Sequence, residues 1–442
     1  MKKKVIKRCS FLILILSIIF VKCSTNGSNE NDKINQSLVA YTNLDLIDGI
    51  SASIKTGQTV LIDVKKGEII DIFETGSKTN DDDTEEKNME GKVMMPGLIE
   101  GHFHLASTVG DDSSLGKISM ENMFKQGITS VRDMAGNGIA LTELKTLGSE
   151  KNNPYPKIYF SCLVTGIDFI SGDDRTTDTA GSGTAGEEAW FITLDDNTDV
   201  VQLVQDAKSF GCTALKLYAD ISSANAKRII IAAKSLDFPF WSHGTLYKAS
   251  PWDIEGVHSF SHSDFFNYVT DASIPTYLES NSDGFVEDFN LNKINSSEMQ
   301  SYFDLLKRNN TILDATLSAY SDDQSGEQDI TKFTHEVTKS AHLRGVEIGA
   351  GSDNFNESVT SNNFLLLNEI KLIKEITGMS EMNALKTATI NNAKSIGIDD
   401  EYGTIEIGKK ADLIILNDNP LENLDNLKSI ELVIKDGFEH NL

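Results

Sequence analysis

Residues 95–104 read Met-Pro-Gly-Leu-Ile-Glu-Gly-His-Phe-His, an apolar run that follows a turn and ends in two histidines. From this run onward, β-rich stretches alternate with stretches of helical period. Eight β-rich runs can be counted, at 98–105, 128–134, 157–164, 214–219, 239–243, 257–262, 312–317 and 346–353. This pattern predicts an α/β fold, a (β/α)8 TIM barrel, which takes about 250 residues and carries its chemistry at the C-terminal ends of its strands.

A doubly wound open sheet is the alternative arrangement for alternating strands and helices. That fold places a glycine-rich phosphate-binding turn after its first strand, and no such turn follows Leu105. The histidines instead fall at the ends of the predicted strands, which favours the barrel.

Two β-rich segments flank the predicted barrel. Short apolar runs separated by turns fill 38–95, and two further apolar runs, 411–416 and 430–435, lie within 399–442. Neither segment alone could bury its apolar face, so we predict that both ends form a small β-sandwich domain beside a barrel at 96–398. Residues 80–90 are polar throughout, which predicts a solvated loop.

The N-terminus has the pattern of an export signal. Basic residues between positions 2 and 8 precede an apolar run at 11–21 that is too short to cross a bilayer as a helix. We predict a signal peptide at 1–22, a polar tether at 23–37 and a lipid anchor on Cys23. The protein would then be exported to the periplasm or cell surface and held at the membrane; plain secretion is the alternative.

Charge and cysteine content narrow the possible partners. The formal net charge is −26, and a nucleic-acid surface needs concentrated Lys and Arg, so we expect no nucleic-acid partner. Of the four cysteines, Cys9 leaves with the signal and Cys23 is the lipid candidate. Cys162 and Cys212 lie in apolar segments, and we predict that both are buried free thiols.

Six side chains at predicted strand ends carry the chemistry. His102 and His104 are two residues apart on a strand, so they point to the same face and can share a metal. Lys216 interrupts an apolar strand, where an ammonium must be paired or used. His243, His262 and Asp353 end three further strands. Four imidazoles, one lysine and one carboxylate from five strand ends predict a metal site.

The remaining histidines are not placed in this site. His258 lies four residues before His262 and is expected to be a core or hydrogen-bonding histidine. The others, His335, His342 and His440, fall in helical or terminal segments and are assigned no chemistry.

Residues 95–104 resemble the first-strand signature of the amidohydrolase superfamily, with Glu100 where an aspartate is more usual. Residues 127–133, the Lys216 strand, 349–353 and 411–413 are similar to its imidazolonepropionase-like and Xaa-Pro dipeptidase-like branch. The resemblance covers nearly all of residues 38–437.

This resemblance implies two divalent metal ions. His102, His104 and Asp353 would hold the buried ion, His243 and His262 the outer one, and Lys216, N6-carboxylated, would bridge both. Zinc suits nitrogen and oxygen ligands, although manganese, iron and nickel accept the same ligand types.

The implied reaction is hydrolysis of an amide bond in a small-molecule substrate by a metal-bridging hydroxide, with Asp353 as general acid and base. Two alternatives stay open: a mononuclear deaminase of the same superfamily, and a metal-holding surface lipoprotein without turnover. The long connection at 166–196 contains Arg175 and is expected to contribute to the substrate pocket. The roles of Arg175 and Tyr218 are left open.

Overall fold

The computed structural model describes residues 37–81, 83–271, 273–280, 289–320, 328–360 and 362–442. The predicted signal peptide and Cys23 lie outside these ranges. Within them, no helix has both the length and the apolar character that a membrane span requires. Residues 37–442 form one unit, and the domain boundaries within it stay predictions.

The strands of the described residues are, in chain order, β1 (Leu38–Leu46), β2 (Lys55–Asp63), β3 (Glu68–Glu74), β4 (Glu85–Asn88), β5 (Val93–Pro96), β6 (Leu98–His104), β7 (Ile128–Asp133), β8 (Lys157–Thr165), β9 (Glu187–Glu188), β10 (Phe191–Thr193), β11 (Ala214–Leu217), β12 (Ile221–Ser222), β13 (Phe240–His243), β14 (Tyr247–Lys248), β15 (Ser259–Ser261), β16 (Ile312–Asp314), β17 (Ile348–Gly349), β18 (Asn354–Phe355), β19 (Leu413–Leu416), β20 (Ile430–Lys435) and β21 (Phe438–Asn441).

The α-helices are α1 (Ser114–Lys125), α2 (Gly138–Ser149), α3 (Ile167–Gly172), α4 (Arg175–Ala180), α5 (Val200–Phe210), α6 (Ser223–Ser235), α7 (Tyr277–Ser280), α8 (Ser297–Arg308), α9 (Gln328–Arg344), α10 (Leu365–Thr377), α11 (Glu381–Thr387) and α12 (Ile390–Ile396). Short 3-10 helices lie at Pro251–Asp253, Asp264–Val269, Leu291–Asn295, Leu317–Tyr320, Asn356–Ser358 and Leu424–Lys428.

A curled parallel sheet forms the centre of the molecule. Nine strands pair in the order β17-β16-β15-β13-β11-β8-β7-β6-β18. The two outermost strands follow one another in the chain, and the segment between them is bonded to β6: Gly101 N donates to Ala350 O at 3.1 Å, and Asp353 N donates to His102 O at 2.9 Å. The α/β class is thereby confirmed, and this curled sheet is consistent with the predicted barrel.

Local signals set where the flanking helices begin and end. The Asp199 side chain caps α5 by accepting hydrogen bonds from Val201 N and Gln202 N, both at 3.1 Å. Gly211 ends the helix with a φ of +111°, a conformation that favours glycine. The chain can therefore turn back directly into β11, which carries Lys216.

The two chain ends meet in a second sheet of eight strands, with the order β21-β20-β19-β5-β1-β2-β3 and β4 paired to β1. β19 pairs antiparallel with β5, and Leu413 lies opposite Pro96. The ends are therefore joined edge to edge in one sheet, and the predicted sandwich is not confirmed. The prediction of a loop throughout 80–90 is wrong, because β4 pairs parallel with β1 there.

Two apolar clusters correspond to these sheets. The larger lies between the barrel strands and their helices and includes Phe124, Phe160 and Ile370, and the smaller packs on the end sheet around Tyr41, Val60 and Leu413. Cys162 and Cys212 are both buried and free, as predicted.

Candidate metal centre

His102 and His104 on β6 point to one face of the sheet and meet Asp353 there. The Nε2 atoms of both imidazoles lie 3.3 Å from Oδ1 of Asp353. Two nitrogens and one carboxylate oxygen within 4.8 Å of one another could hold a metal ion. The prediction that these three residues converge is therefore supported by their positions.

Small residues and a buried carboxyl bring β6 and the Asp353 segment together. A Cβ atom on Gly351 would lie 2.5 Å from His102 Cβ, so only glycine fits this approach. Oε1 of Glu100 accepts hydrogen bonds from His102 N at 3.0 Å and from Ser352 N at 2.9 Å. Burial raises the pKa of Glu100 to about 8.

The Nδ1 atoms of His102, His104 and His243 are engaged away from Asp353. His102 Nδ1 bonds to Asp314 Oδ2 at 2.6 Å, and His104 Nδ1 bonds to Ala135 O at 2.9 Å. His243 Nδ1 bonds to Thr245 O at 3.2 Å. Since a carbonyl or carboxylate can only accept, each of these Nδ1 atoms carries the proton, which leaves the Nε2 lone pair for a metal.

Four imidazoles form a row, which we call the floor, at the C-terminal ends of the strands of the curled sheet. Their ring centroids are 5.4 Å apart for His104 and His102, 5.0 Å for His102 and His262, and 4.8 Å for His262 and His243. Nδ1 of His262 also lies 2.8 Å from Thr316 Oγ1. Asp353 lies along the part of the row formed by His104, His102 and His262, because its Oδ2 is also 3.6 Å from His262 Nδ1.

Lys216 lies under this row, with 2% of its surface exposed. Its Nζ donates to Ser261 Oγ at 3.1 Å. Burial lowers the pKa of Lys216 to about 7, although the carboxylates of Asp314 and Asp353 oppose the shift. Burial thus favours the neutral amine over the ammonium.

Asp314 on β16 is a site residue that the sequence analysis missed. Its Oδ2 accepts from His102 Nδ1, from Ser261 Oγ at 3.0 Å and from Arg132 Nη2 at 2.9 Å. Arg132 is fully buried and also donates to Gly101 O. A carboxylate within an apolar strand was the signal, and it is the same signal that identified Lys216.

The charges around Asp353 favour its ionised form. Burial alone would raise the pKa of Asp353, but His102, His104 and His262 hold it well below its usual range. Burial would lower the pKa of His104, and its hydrogen bond with Asp353 raises it instead. Burial places the pKa of His243 and of His262 well below the usual range. Burial thus favours the neutral imidazoles of His243 and His262, near the ionised carboxylate of Asp353.

The floor opens into a cavity of about 960 Å³. It contains the six predicted site residues, and Arg175 and Tyr218 line it as well. The connection at 166–196 forms α3, α4, β9 and β10, and it contributes Phe169, Arg175 and Thr179 to the wall. The prediction that this connection helps to build the pocket is borne out by its position.

The other histidines lie elsewhere. His258 is exposed and not in the core, because it precedes β15 at the N-terminal end of that strand, and its side chain bonds to the backbone of Phe240, the other expected role. It borders a second cavity of about 640 Å³ with Lys307 and Lys394. His335, His342 and His440 do not line the large cavity.

Parts of the sequence are similar to those of known proteins. Residues 297–438 match the model of the Amidohydrolase family. An imidazolonepropionase of Picrophilus torridus is 25% identical over 383 residues, which cover 81% of this chain and 86% of that protein. The family match covers about a third of the chain, toward its C-terminal end. Together these likenesses support a hydrolase that acts on carbon–nitrogen bonds.

Two further likenesses are more limited. A guanine deaminase of Escherichia coli is 34% identical over 101 residues, which are 22% of this chain and 23% of that enzyme. The solved structure of a Xaa-Pro dipeptidase with methionine bound in its active site has a TM-score of 0.67 and 20% identity, and the match covers 92% of this chain and 100% of that chain. The latter likeness supports the fold.

Proposed function

We propose that the protein hydrolyses an amide bond at a centre of two divalent metal ions held by His102, His104, Lys216, His243, His262 and Asp353. One observation carries the proposal: Nε2 of His102 and Nε2 of His104 face the same oxygen of Asp353, within a continuous row of imidazoles. Such a row is hard to explain as core packing, because buried polar groups are normally paired with one another rather than aimed at a cavity.

The donor set fits two divalent ions. His102, His104 and Asp353 supply two nitrogens and an oxygen to the first, and His243 and His262 supply nitrogens to the second. Zinc accepts this mixture of ligands. Asp314, Ala135 and Thr245 engage the opposite ring nitrogens, and such contacts usually orient metal-binding histidines.

Lys216 is proposed to bridge the two ions as a carbamate. Its neutral amine would bond to the carbon of carbon dioxide and release one proton, which leaves an anionic carbamate. The position of its Nζ under the imidazole row and its pKa of about 7 support this step. An ammonium there would instead repel the metals.

When bound, the two ions would lower the pKa of a shared water molecule and polarise the substrate carbonyl. Asp353 would accept a proton from the attacking water while the water oxygen bonds to the carbonyl carbon. Asp353 would then give that proton to the leaving nitrogen as the carbon–nitrogen bond breaks. The products are a carboxylic acid and an amine.

Two alternative functions would give these residues different roles. A mononuclear deaminase is favoured by the partial match to guanine deaminase, but it gives Lys216 no place among the ligands. A metal-holding protein without turnover would need neither the large cavity nor a carboxylate aimed at it. The position of Lys216 favours the dinuclear hydrolase.

A screen of the purified, metal-loaded protein tests this function. We expect hydrolysis of members of at least one amide class among N-acyl amino acids, dipeptides and cyclic amides, and slower or no reaction with phosphotriesters. Guanine and adenosine serve as deaminase probes. Ammonia release from those probes without amide hydrolysis would favour the deaminase.

We also propose that the protein is exported and anchored through a lipid on Cys23. The support is the sequence pattern of residues 1–36. In cells fed labelled palmitate, the parent protein should carry the label, and Cys23→Ser should not. An unlabelled parent protein recovered from the medium would indicate plain secretion.

A further inference from the structure

One wall of the large cavity is built from aromatic rings, which we call the aromatic wall: Phe169, Tyr218, Tyr247, Phe265 and Tyr277. Neighbouring rings of this wall pack against one another. Phe169 is 5.1 Å from both Tyr218 and Tyr277, and Tyr247 is 5.4 Å from Tyr277, measured between ring centroids. The five rings come from α3, the end of β11, β14, the 3-10 helix Asp264–Val269 and α7. Five separate segments thus converge on one aromatic surface.

The aromatic wall stands at the His243 end of the imidazole row. The His243 ring centroid is 4.3 Å from Phe265 and 4.5 Å from Tyr218. A group seated on this wall would therefore lie beside His243, at the end of the row opposite His104.

The opposite end of the row has different neighbours. Phe355 stacks on His104 at 5.3 Å with an interplanar angle of 22°. Beyond it, the cavity is lined by uncharged polar side chains, Asn354, Ser358, Asn363 and Asn368. We call this surface the amide side. It offers hydrogen bonds without net charge next to Asp353.

Arg175, a cation that lines the same cavity as the aromatic wall, is already paired with a carboxylate. Arg175 Nε donates to Asp173 Oδ1 at 2.9 Å, and Arg175 Nη2 donates to Asp173 Oδ2 at 2.5 Å. Tyr277 Oη also donates to Asp173 Oδ2, at 2.6 Å. The Asp173 carboxylate, whose side chain is only 7% exposed, therefore offsets the charge of Arg175 and reduces its attraction for a second anion. The pair therefore disfavours an anionic substrate group.

We propose that the cavity selects a neutral amide with an aromatic acyl group on the aromatic wall and a small, uncharged polar amine on the amide side. This inference rests on the proposed function. The amine is placed on the amide side because the leaving nitrogen would take its proton from Asp353. Asn354, the first residue of the amide side, directly follows Asp353 in the chain. Burying an aromatic ring on such a wall stabilises the complex.

Four synthetic amides test the selection. Phenylacetyl-glycinamide has both predicted parts, acetyl-glycinamide lacks the ring, phenylacetyl-glycine carries a carboxylate, and N-phenethylacetamide reverses the amide. We expect kcat/KM for phenylacetyl-glycinamide to exceed that for acetyl-glycinamide by about 30-fold, the usual effect of burying one ring. The kcat/KM values for phenylacetyl-glycine and for N-phenethylacetamide should each be at least about 10-fold lower than that for phenylacetyl-glycinamide.

A matched pair of variants locates the effect. Phe265 lies on the aromatic wall, whereas Phe266 is fully buried against Phe260 and Phe303. Phe265→Leu should reduce the preference for the ring substrate over acetyl-glycinamide by about 3-fold to 10-fold. Phe266→Leu should leave that ratio within about 2-fold, even if stability falls, because both substrates are compared on the same protein.

Equilibrium binding of the same four compounds separates this inference from the proposed function. Binding that prefers the neutral aromatic acyl amide, without hydrolysis of any amide, would refute the function and support the selection. Hydrolysis or binding with no ring preference, or with a preference for phenylacetyl-glycine, would overturn the selection.

Discussion

Asp314 Oδ2 accepts a hydrogen bond from His102 Nδ1 at 2.6 Å, and both side chains are almost fully buried. The contact fixes which nitrogen of His102 faces Asp353. Asp314 therefore acts through His102 as a positioning residue, in the manner of the outer partners of metal-binding histidines.

Asp314→Asn should weaken metal binding about 10-fold to 100-fold, the usual effect of losing such a partner. The amide can present its nitrogen to His102, which would leave the imidazole proton on the wrong side. Competition with a chelating dye measures the affinity. Asp304→Asn, at an exposed ion pair with Arg344, is the control. A folded Asp314→Asn protein with parental affinity would contradict this role.

Lys216→Ala should lose metal and activity together, because the bridging anion is removed. Short carboxylic acids such as acetate or propionate should restore part of both by filling the space under the imidazole row. Metal content and turnover are measured with and without the added acid. An alanine variant with parental metal content and turnover would make Lys216 a structural residue.

Asp353→Asn should separate binding from chemistry. The amide oxygen can still ligate a metal, but it cannot accept a proton from water, so the rate of the chemical step should fall about 100-fold to 10,000-fold. Metal content should change much less than the single-turnover rate. Full activity in this variant at neutral pH would remove Asp353 from the proposed proton transfer.

Asp48 lies in the connection between β1 and β2 and is expected to make an ionic contribution to the stability of the fold. Burial would raise its pKa, but Lys55 Nζ at 2.8 Å and hydrogen bonds from Ser51 and Ile50 lower it to about 2. Because this value lies below the ordinary value of 3.8, ionised Asp48 stabilises the fold above about pH 4. The contribution is lost as the pH falls from about 4 towards 2.

Asp48→Asn should therefore reduce the free energy of unfolding by up to about 2 kcal/mol at pH 7, with a smaller difference at pH 3. Urea unfolding at both pH values measures the change. Asp329→Asn, at a side chain that is 85% exposed, is the control. An equal loss at both pH values would contradict the ionic contribution.

The site residues at the strand ends could be predicted because each follows from a local pattern in the sequence. His102 and His104 follow from the two-residue period of a strand, and Lys216 from a charge in an apolar run. Asp314 carries the same local signal as Lys216. Its partners Arg132 and His102 are 182 and 212 residues away, so its role depended on the tertiary fold.

The end sheet shows the limit of local patterns more clearly. Both ends read as β-rich, but edge-to-edge and face-to-face packing have the same sequence pattern, and only the pairing of β19 with β5 distinguishes them. Residues Glu85–Asn88 have no apolar alternation, yet they form β4. Their backbone pairs with β1, and backbone hydrogen bonds do not require apolar side chains.

The metal content of active protein prepared with bicarbonate tests the central claim most directly. The carbamate on Lys216 would supply the charge that allows two dications to sit close together. We predict about two metal ions per chain, with activity rising in parallel with the second. One metal ion per chain in fully loaded, fully active protein would contradict the dinuclear site.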